Sequence, residues 1–261
     1  MSDAVSPEGR VVTSIRDHVL TVAIDRPAKY NGFTPEMIRQ LAQAYTDYEA
    51  NDQLWCAVLC AEGRHFTAGL QLDRFDITEQ LVPEGLVDPL GLSPLRRTKP
   101  VISAVHGICF TIGIELMLAT DIVLAAPDTR FAQLEVRRGL MPFGGATTRM
   151  VERAGWGNAM RWLLTGGEFD GVEAHRIGLV QGLHPADEVR NRAHQLAGEI
   201  AEQGPVAVAH TRASSLRYLH EGEAAAVAAF PKQLREIAAS EDFAEGVESF
   251  LQRRKAVFKG R

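Results

Sequence analysis

A change of pattern partway along the chain constrains its fold more than any single motif. Val11 to Ile15 and His18 to Ile24 are short β-branched runs separated by Arg16-Asp17, which reads as a hairpin stopped by Arg26-Pro27. Thr34-Pro35-Glu36 reads as a helix start, with Thr34 as N-cap, and Met37, Ile38, Leu41, Ala44, Tyr45 and Tyr48 follow at helical spacing. Val58-Leu59 marks a third strand and Val101 to Val105 a fourth; Ile112 to Ala119 is apolar and Asp121 to Ala125 returns to strand character. From Gly145 onward helical patterns dominate, including 188–203, 206–219, 223–239 and 243–257. This order predicts an α/β fold followed by a helical second half. Residues 70–97, broken by Pro83, Gly85, Pro89, Gly91 and Pro94, read as a lid or binding loop.

The chain has 261 residues, enough for one large domain or two ordinary ones. A net charge of -5 gives no general attraction for nucleic acid or an anionic membrane. Met1 to Arg10 lacks the basic start and apolar run of a signal peptide, and no stretch is long and apolar enough to suggest a membrane span, so a cytoplasmic protein is expected. Cys56, Cys60 and Cys109 are too few for a disulfide framework and read as small core residues. The eight histidines are scattered without a ligand set, and there is neither a dinucleotide fingerprint nor a P-loop, so no metal is expected.

Two acids stand out. Glu115 interrupts Ile112-Gly113-Ile114-Glu115-Leu116-Met117-Leu118, where a desolvated carboxyl would be raised toward neutral pH and suited to proton transfer; a buried pair with an arginine would look the same. Glu135 follows Phe131-Ala132-Gln133-Leu134 and by itself could be an ordinary surface acid near a helix start. Two glycine turns, 63–70 and 106–113, follow the third and fourth strands, where strand-to-helix turns leave backbone N–H groups free for an anion.

Taken in order, Arg26-Pro27-Ala28-Lys29-Tyr30-Asn31, Gly63 to Gly69, Lys99 to Gly107, Glu115-Leu116 with Asp121-Ile122, Phe131 to Glu135, Gly139 to Thr147, Gly178-Leu179-Val180 and the tail Phe250 to Lys259 resemble the crotonase (enoyl-CoA hydratase/isomerase) superfamily over nearly the whole chain. The resemblance implies a spiral of ββα units forming two nearly perpendicular sheets over residues 1–200. It also implies a helical region, 201–261, that builds a homotrimer or a dimer of trimers. Glu115 and Glu135 fall on the two acids that flank the water in family hydratases. Leu70 and Ile112 fall on the two amides of the oxyanion hole, each such donor contributing around 3 kcal/mol. Ala28, Lys29, Tyr30 and Ala68 fall on positions lining coenzyme A, and Arg253 on a basic residue that reaches a neighbouring subunit's nucleotide. Coenzyme A would enter only as part of the thioester substrate, with no separate cofactor. The retained acid pair favours hydration of a 2-enoyl-CoA. The alternatives are Δ3-Δ2 isomerisation, another enolate reaction such as thioester hydrolysis or C–C cleavage, and a non-catalytic acyl-CoA-binding protein. Three departures from the family pattern point to an altered acyl pocket: Thr111-Ile112 in a glycine-rich turn, Leu70-Gln71 in place of Ala-Asp, and His106 in place of Asn.

Overall fold

Strands buried on both faces need cover on both sides, and the two faces of this chain's main sheet find it in different helices. In the computed structural model, which describes residues 8–261, strands β1 (Arg10–Arg16), β2 (Val19–Asp25), β3 (Cys56–Ala61), β4 (Val101–Val105), β6 (Ile122–Ala125) and β9 (Gly182–Leu183) form one sheet in the order β1-β2-β3-β4-β6-β9. Within this sheet, among the described residues, only the β1–β2 hairpin is antiparallel. The second sheet has the order β5-β7-β8, from Ile108–Phe110, Arg130–Ala132 and Glu168–Asp170.

Alternation along β3 sorts its side chains. Ala57, Leu59 and Ala61 join the larger core with helix α1 (Pro35–Ala50), whose Met37, Leu41, Tyr45 and Tyr48 are fully buried. Cys56, Val58 and Cys60 face the other way, against Val189, Ala193 and Ala197 of helix α6 (Val189–Ala201). Burial pushes the Cys60 thiol up to about 11, so it stays a neutral, packed group. The hairpin turns at Asp17 (φ 53°), and Thr34 caps α1 by accepting from the Met37 amide, as the sequence predicts.

Helix α2 (Ile112–Ala119) leads into β6, and helices α3 (Ala146–Ala154), α4 (Trp156–Thr165) and α5 (Gly171–Arg176) cover the space beside the small sheet. Residues 70–97 contain no longer element than a 3-10 turn, Leu72–Arg74. Helices α7 (Pro205–Glu221), α8 (Glu223–Ala238) and α9 (Glu241–Gln252) end the chain. The last of these corrects the expectation of a helix over 243–257. Ser240 starts it early by accepting from the Phe243 amide, and Arg253 stops it in the left-handed region. The tail then doubles back, with Glu245 pairing Arg254 and accepting from Val257 N, and Asp242 accepting from Lys259 N and Gly260 N. No helix among the described residues is long and apolar enough to cross a membrane. Most of the N-terminal segment read for a targeting signal, residues 1–7, lies outside the described residues.

Candidate active site

Three neighbouring stretches of chain run side by side and carry the acids and turns to one place. The first glycine turn lies along β5: Phe66 N donates to His106 O, Thr67 N to Ile108 O and Phe110 N to Thr67 O. On its other side β5 pairs in parallel with β7, and beyond that pairing Thr111 N donates to Ala132 O at 3.0 Å. That last bond draws the start of α2, carrying Glu115, beside the end of β7, three residues before Glu135.

Glu115 stands in the first turn of α2 and is 3% exposed. Its Oε1 accepts from Gly144 N at 2.6 Å and Ala146 N at 3.3 Å. Burial is the main influence on its carboxyl, pushing it up to about 7; the Ala146 and Gly144 amides and the Arg149 guanidinium oppose the rise, and the nearby Glu135 adds to it. Glu135 opens a 3-10 turn, Glu135–Arg138, and is 8% exposed, so it is not the surface acid that its isolated sequence context allows. Burial raises its carboxyl too. Among the described residues its Oε2, sealed from solvent, has no partner, and neither do the two side-chain polar atoms of Gln133, a residue the sequence reading did not single out.

The two backbone amides come from the facing turns. Leu70 bridges Phe33 in parallel, and the bonds of that bridge are made by Gly69 O and Gln71 N, which turns the Leu70 N–H to the opposite side. Ile112 is the first residue of α2, so its N–H has no partner within the helix. Among the described residues neither amide donates to a protein acceptor. Gly69 and Thr111, the residues just before these amides, are in contact: a Cβ on Gly69 would overlap Thr111 Oγ1.

Of the remaining predicted positions, Ala28, Lys29, Tyr30 and Ala68 form one exposed patch, with Ala68 N donating to Tyr30 O at 2.9 Å and the Tyr30 ring tilted against His65. Asn31 fixes that patch from beneath. Fully buried, it accepts from Arg26 N and donates to Glu62 O and His65 O. Arg253 is exposed at the end of α9, and among the described residues no bond joins its side chain to this patch. His106 meets Gly63 O at 2.9 Å, a bond that holds the turn.

Two features went unnoticed in the sequence. Gly144 is required by packing, since a Cβ there would overlap Glu115 Oε2. Arg149 of α3 donates to Leu90 O at 2.6 Å and to Gly144 O at 3.4 Å, joining the 70–97 segment to the turn that holds Glu115. The Gly144-Gly145 pair before a helix start was the visible signal for the first. The second had none. No group of three or more metal-ligating side chains occurs among the described residues. A cavity of about 1190 Å³, lined by neither acid, lies between the end of α2, helix α3 and helix α7.

A buried acid pair, with two amides at the neighbouring turns that donate to no acceptor among the described residues, is suited to proton transfer next to a carbonyl that gains negative charge. The chain belongs to the enoyl-CoA hydratase/isomerase family, whose sequence profile matches residues 14–261. It is 31% identical to 2,3-dehydroadipyl-CoA hydratase of Escherichia coli over 96% of this chain and 99% of that protein. Among solved structures it superimposes on a probable enoyl-CoA hydratase/isomerase from Mycobacterium abscessus with a TM-score of 0.93 and 45% identity, covering 96% of this chain and 98% of that one. An enoyl-CoA hydratase from Mycobacterium tuberculosis H37Rv gives 0.90 and 34%, covering 98% and 100%. The crotonase-type fold expected from the sequence is thereby shown.

Proposed function

We propose that the chain adds water across the double bond of a 2-enoyl-CoA thioester, with Glu115 and Glu135 as its two proton carriers. The observation that carries this reading is the unequal bonding of two neighbouring buried carboxyls. Both are raised by burial, and two such groups do not ionise together cheaply. Two backbone amides at Glu115 Oε1 favour its anion, whereas Glu135 has only its own amide, and its Oε2 has no partner among the described residues. On this difference in bonding we assign Glu115 as the base and Glu135 as the acid.

In the forward direction Glu115 takes a proton from water as the oxygen bonds to the β-carbon. The electrons of the double bond pass to the thioester oxygen, which the Leu70 and Ile112 amides receive as an enolate. Glu135 then gives its proton to the α-carbon. The sum is one water added, with both carboxyls restored by proton exchange. Coenzyme A arrives with the substrate and no separate cofactor takes part. Its nucleotide would lie along Ala28, Lys29, Tyr30 and Ala68, with Arg253 supplied by a neighbouring subunit.

Exposed apolar side chains along the last two helices, including Leu234, Phe250 and Leu251 at 63%, 82% and 75%, suit assembly into a trimer or a dimer of trimers. A reducing cytoplasm suits three free, buried cysteines. Glu115→Gln and Glu135→Gln are each expected to lower kcat by at least a hundredfold with a smaller change in KM, followed by loss of the conjugated thioester absorbance. Full hydration by the Glu135→Gln enzyme would refute the two-acid mechanism. Consumption of a 3-enoyl-CoA in preference to the 2-enoyl isomer would reassign the reaction to isomerisation.

A further inference from the structure

The residue before the Ile112 amide is held in a conformation its side chain disfavours. Thr111 takes φ 49°, ψ -116°. Tyr30 and Arg253 also have positive φ, but at ψ 34° and 40° they sit in the left-handed helical region that non-glycine residues do visit. Thr111 lies outside it, where a β-branched residue is strained. Glycine would relieve that strain. The hydroxyl is also not used as threonine hydroxyls at helix starts usually are: it makes no capping bond to α2 and no other hydrogen bond among the described residues.

Its position is informative. Because a Cβ on Gly69 would overlap Thr111 Oγ1, bond lengths put this oxygen within about 4 Å of the Gly69 Cα, hence within roughly 6 Å of the Leu70 N–H. Along its own backbone Oγ1 is no more than about 4 Å from the Ile112 N–H. The hydroxyl thus stands at the seam where the two segments that carry the free amides meet. Thr111 is only partly buried, so a ligand atom entering that seam can reach it.

We infer that the Thr111 hydroxyl is a third hydrogen-bond donor to the thioester oxygen, acting with the Leu70 and Ile112 amides; this rests on the enolate reading above. A hydroxyl can rotate its proton toward charge as that charge develops, so its contribution is larger in the enolate-like transition state than in the bound substrate. The backbone strain is then offset in the reaction rather than in folding.

Thr111→Val keeps the shape and the β-branched backbone while removing the donor; Thr111→Ser keeps the donor. With a short straight-chain 2-enoyl-CoA as substrate, the Val variant is expected to lose about tenfold or more in kcat with KM changed less than about threefold, and the Ser variant to stay within about threefold of wild type in kcat. Exchange of the α-protons of the matching saturated acyl-CoA with deuterated water, followed by NMR, should slow in the Val variant by a similar factor, because that step needs the enolate but no water addition. Thermal melts of the variants check that each is folded. A Val variant within twofold of wild type in both assays overturns the inference, as does a Ser variant that falls as far as Val, which would make the effect one of packing. Either result, with the Glu115→Gln and Glu135→Gln enzymes inactive, leaves the hydration reading standing; active Gln variants would remove that reading instead.

Discussion

Glu115 sits in an apolar helix and yet takes two backbone bonds on one oxygen, so its charged form is opposed by burial and favoured by its donors. Burial prevails, and the carboxyl titrates near 7 instead of at 4.5. The consequence for stability follows from linkage. Between these two values the unfolded chain releases a proton that the folded chain keeps, so stability falls as pH rises through that window, by on the order of 3 kcal/mol, and stays lower above it. Glu115→Gln has no proton to lose but still offers an oxygen to Gly144 and Ala146. It is expected to melt close to wild type at about pH 5 and roughly 5–10 °C above it at about pH 8. Scanning calorimetry across that range checks this, and parallel curves would mean that the carboxyl titrates in its ordinary range. A residue needed for turnover would then be one that the fold is more stable without, the usual relation at a tuned site.

Among the elements, α3 links the acid on α2 to the irregular segment before β4. Arg149 holds Leu90 O and Gly144 O, and its charge holds the Glu115 carboxyl lower than burial alone would. Asp88 organises the same segment by accepting from Leu90 N, Leu92 N and Ser93 N. Arg149→Met is expected to move the acid limb of the kcat/KM profile, near pH 7 in wild type, to higher pH, with activity at about pH 6 reduced about twofold to threefold. Arg149→Lys should leave the limb in place while the 88–93 segment becomes easier to cleave in limited proteolysis. An unmoved limb in the Met variant would exclude the electrostatic role. This coupling was invisible in the sequence because its partners are 59 and 5 residues away and are carbonyl groups, which carry no residue identity. Glu115 was legible because a lone acid in an apolar helix breaks a pattern. Glu135 was legible only through family resemblance, since a short 3-10 turn has no periodicity to break. The strands of the small sheet, three residues each, are likewise too short to show alternation, and so the second layer of the fold came from the resemblance alone. At the far end, helical composition ran on past Gln252 and hid the left-handed stop at Arg253, a conformation that sequence does not announce in a non-glycine residue.

At the scale of the whole molecule, the spiral and the terminal helices are tied through a few charges. Arg97, 6% exposed, donates to Asp121 at 2.6 Å and to the carbonyls of Lys99 and Ala119, and so joins the start of β4 to the end of α2. The second carboxylate oxygen of Asp121 accepts from Arg212 Nε of α7 at 2.8 Å, and Arg212 also reaches the carbonyls of Arg97 and Thr98. Burial alone would push the Asp121 carboxyl up, but the two guanidiniums more than reverse this and hold it below the ordinary aspartate value. Helix α7 has no fully buried residue of its own, so this carboxylate is a principal anchor between it and the spiral. Removing one member of a buried ion pair costs more than the pair contributes, because the remaining charge keeps its desolvation penalty without its partner. Asp121→Asn leaves Arg97 in that state, at about 3–5 kcal/mol, and is expected to lower Tm by roughly 10 °C. Hydrogen exchange should quicken first over residues 205–221, while the β2–β3 pairing, buried between α1 and α6, keeps its protection. Exchange rising first in the β2–β3 pairing, or a melt within about 2 °C of wild type, would show that α7 is held to the spiral by its packing and not by these charges.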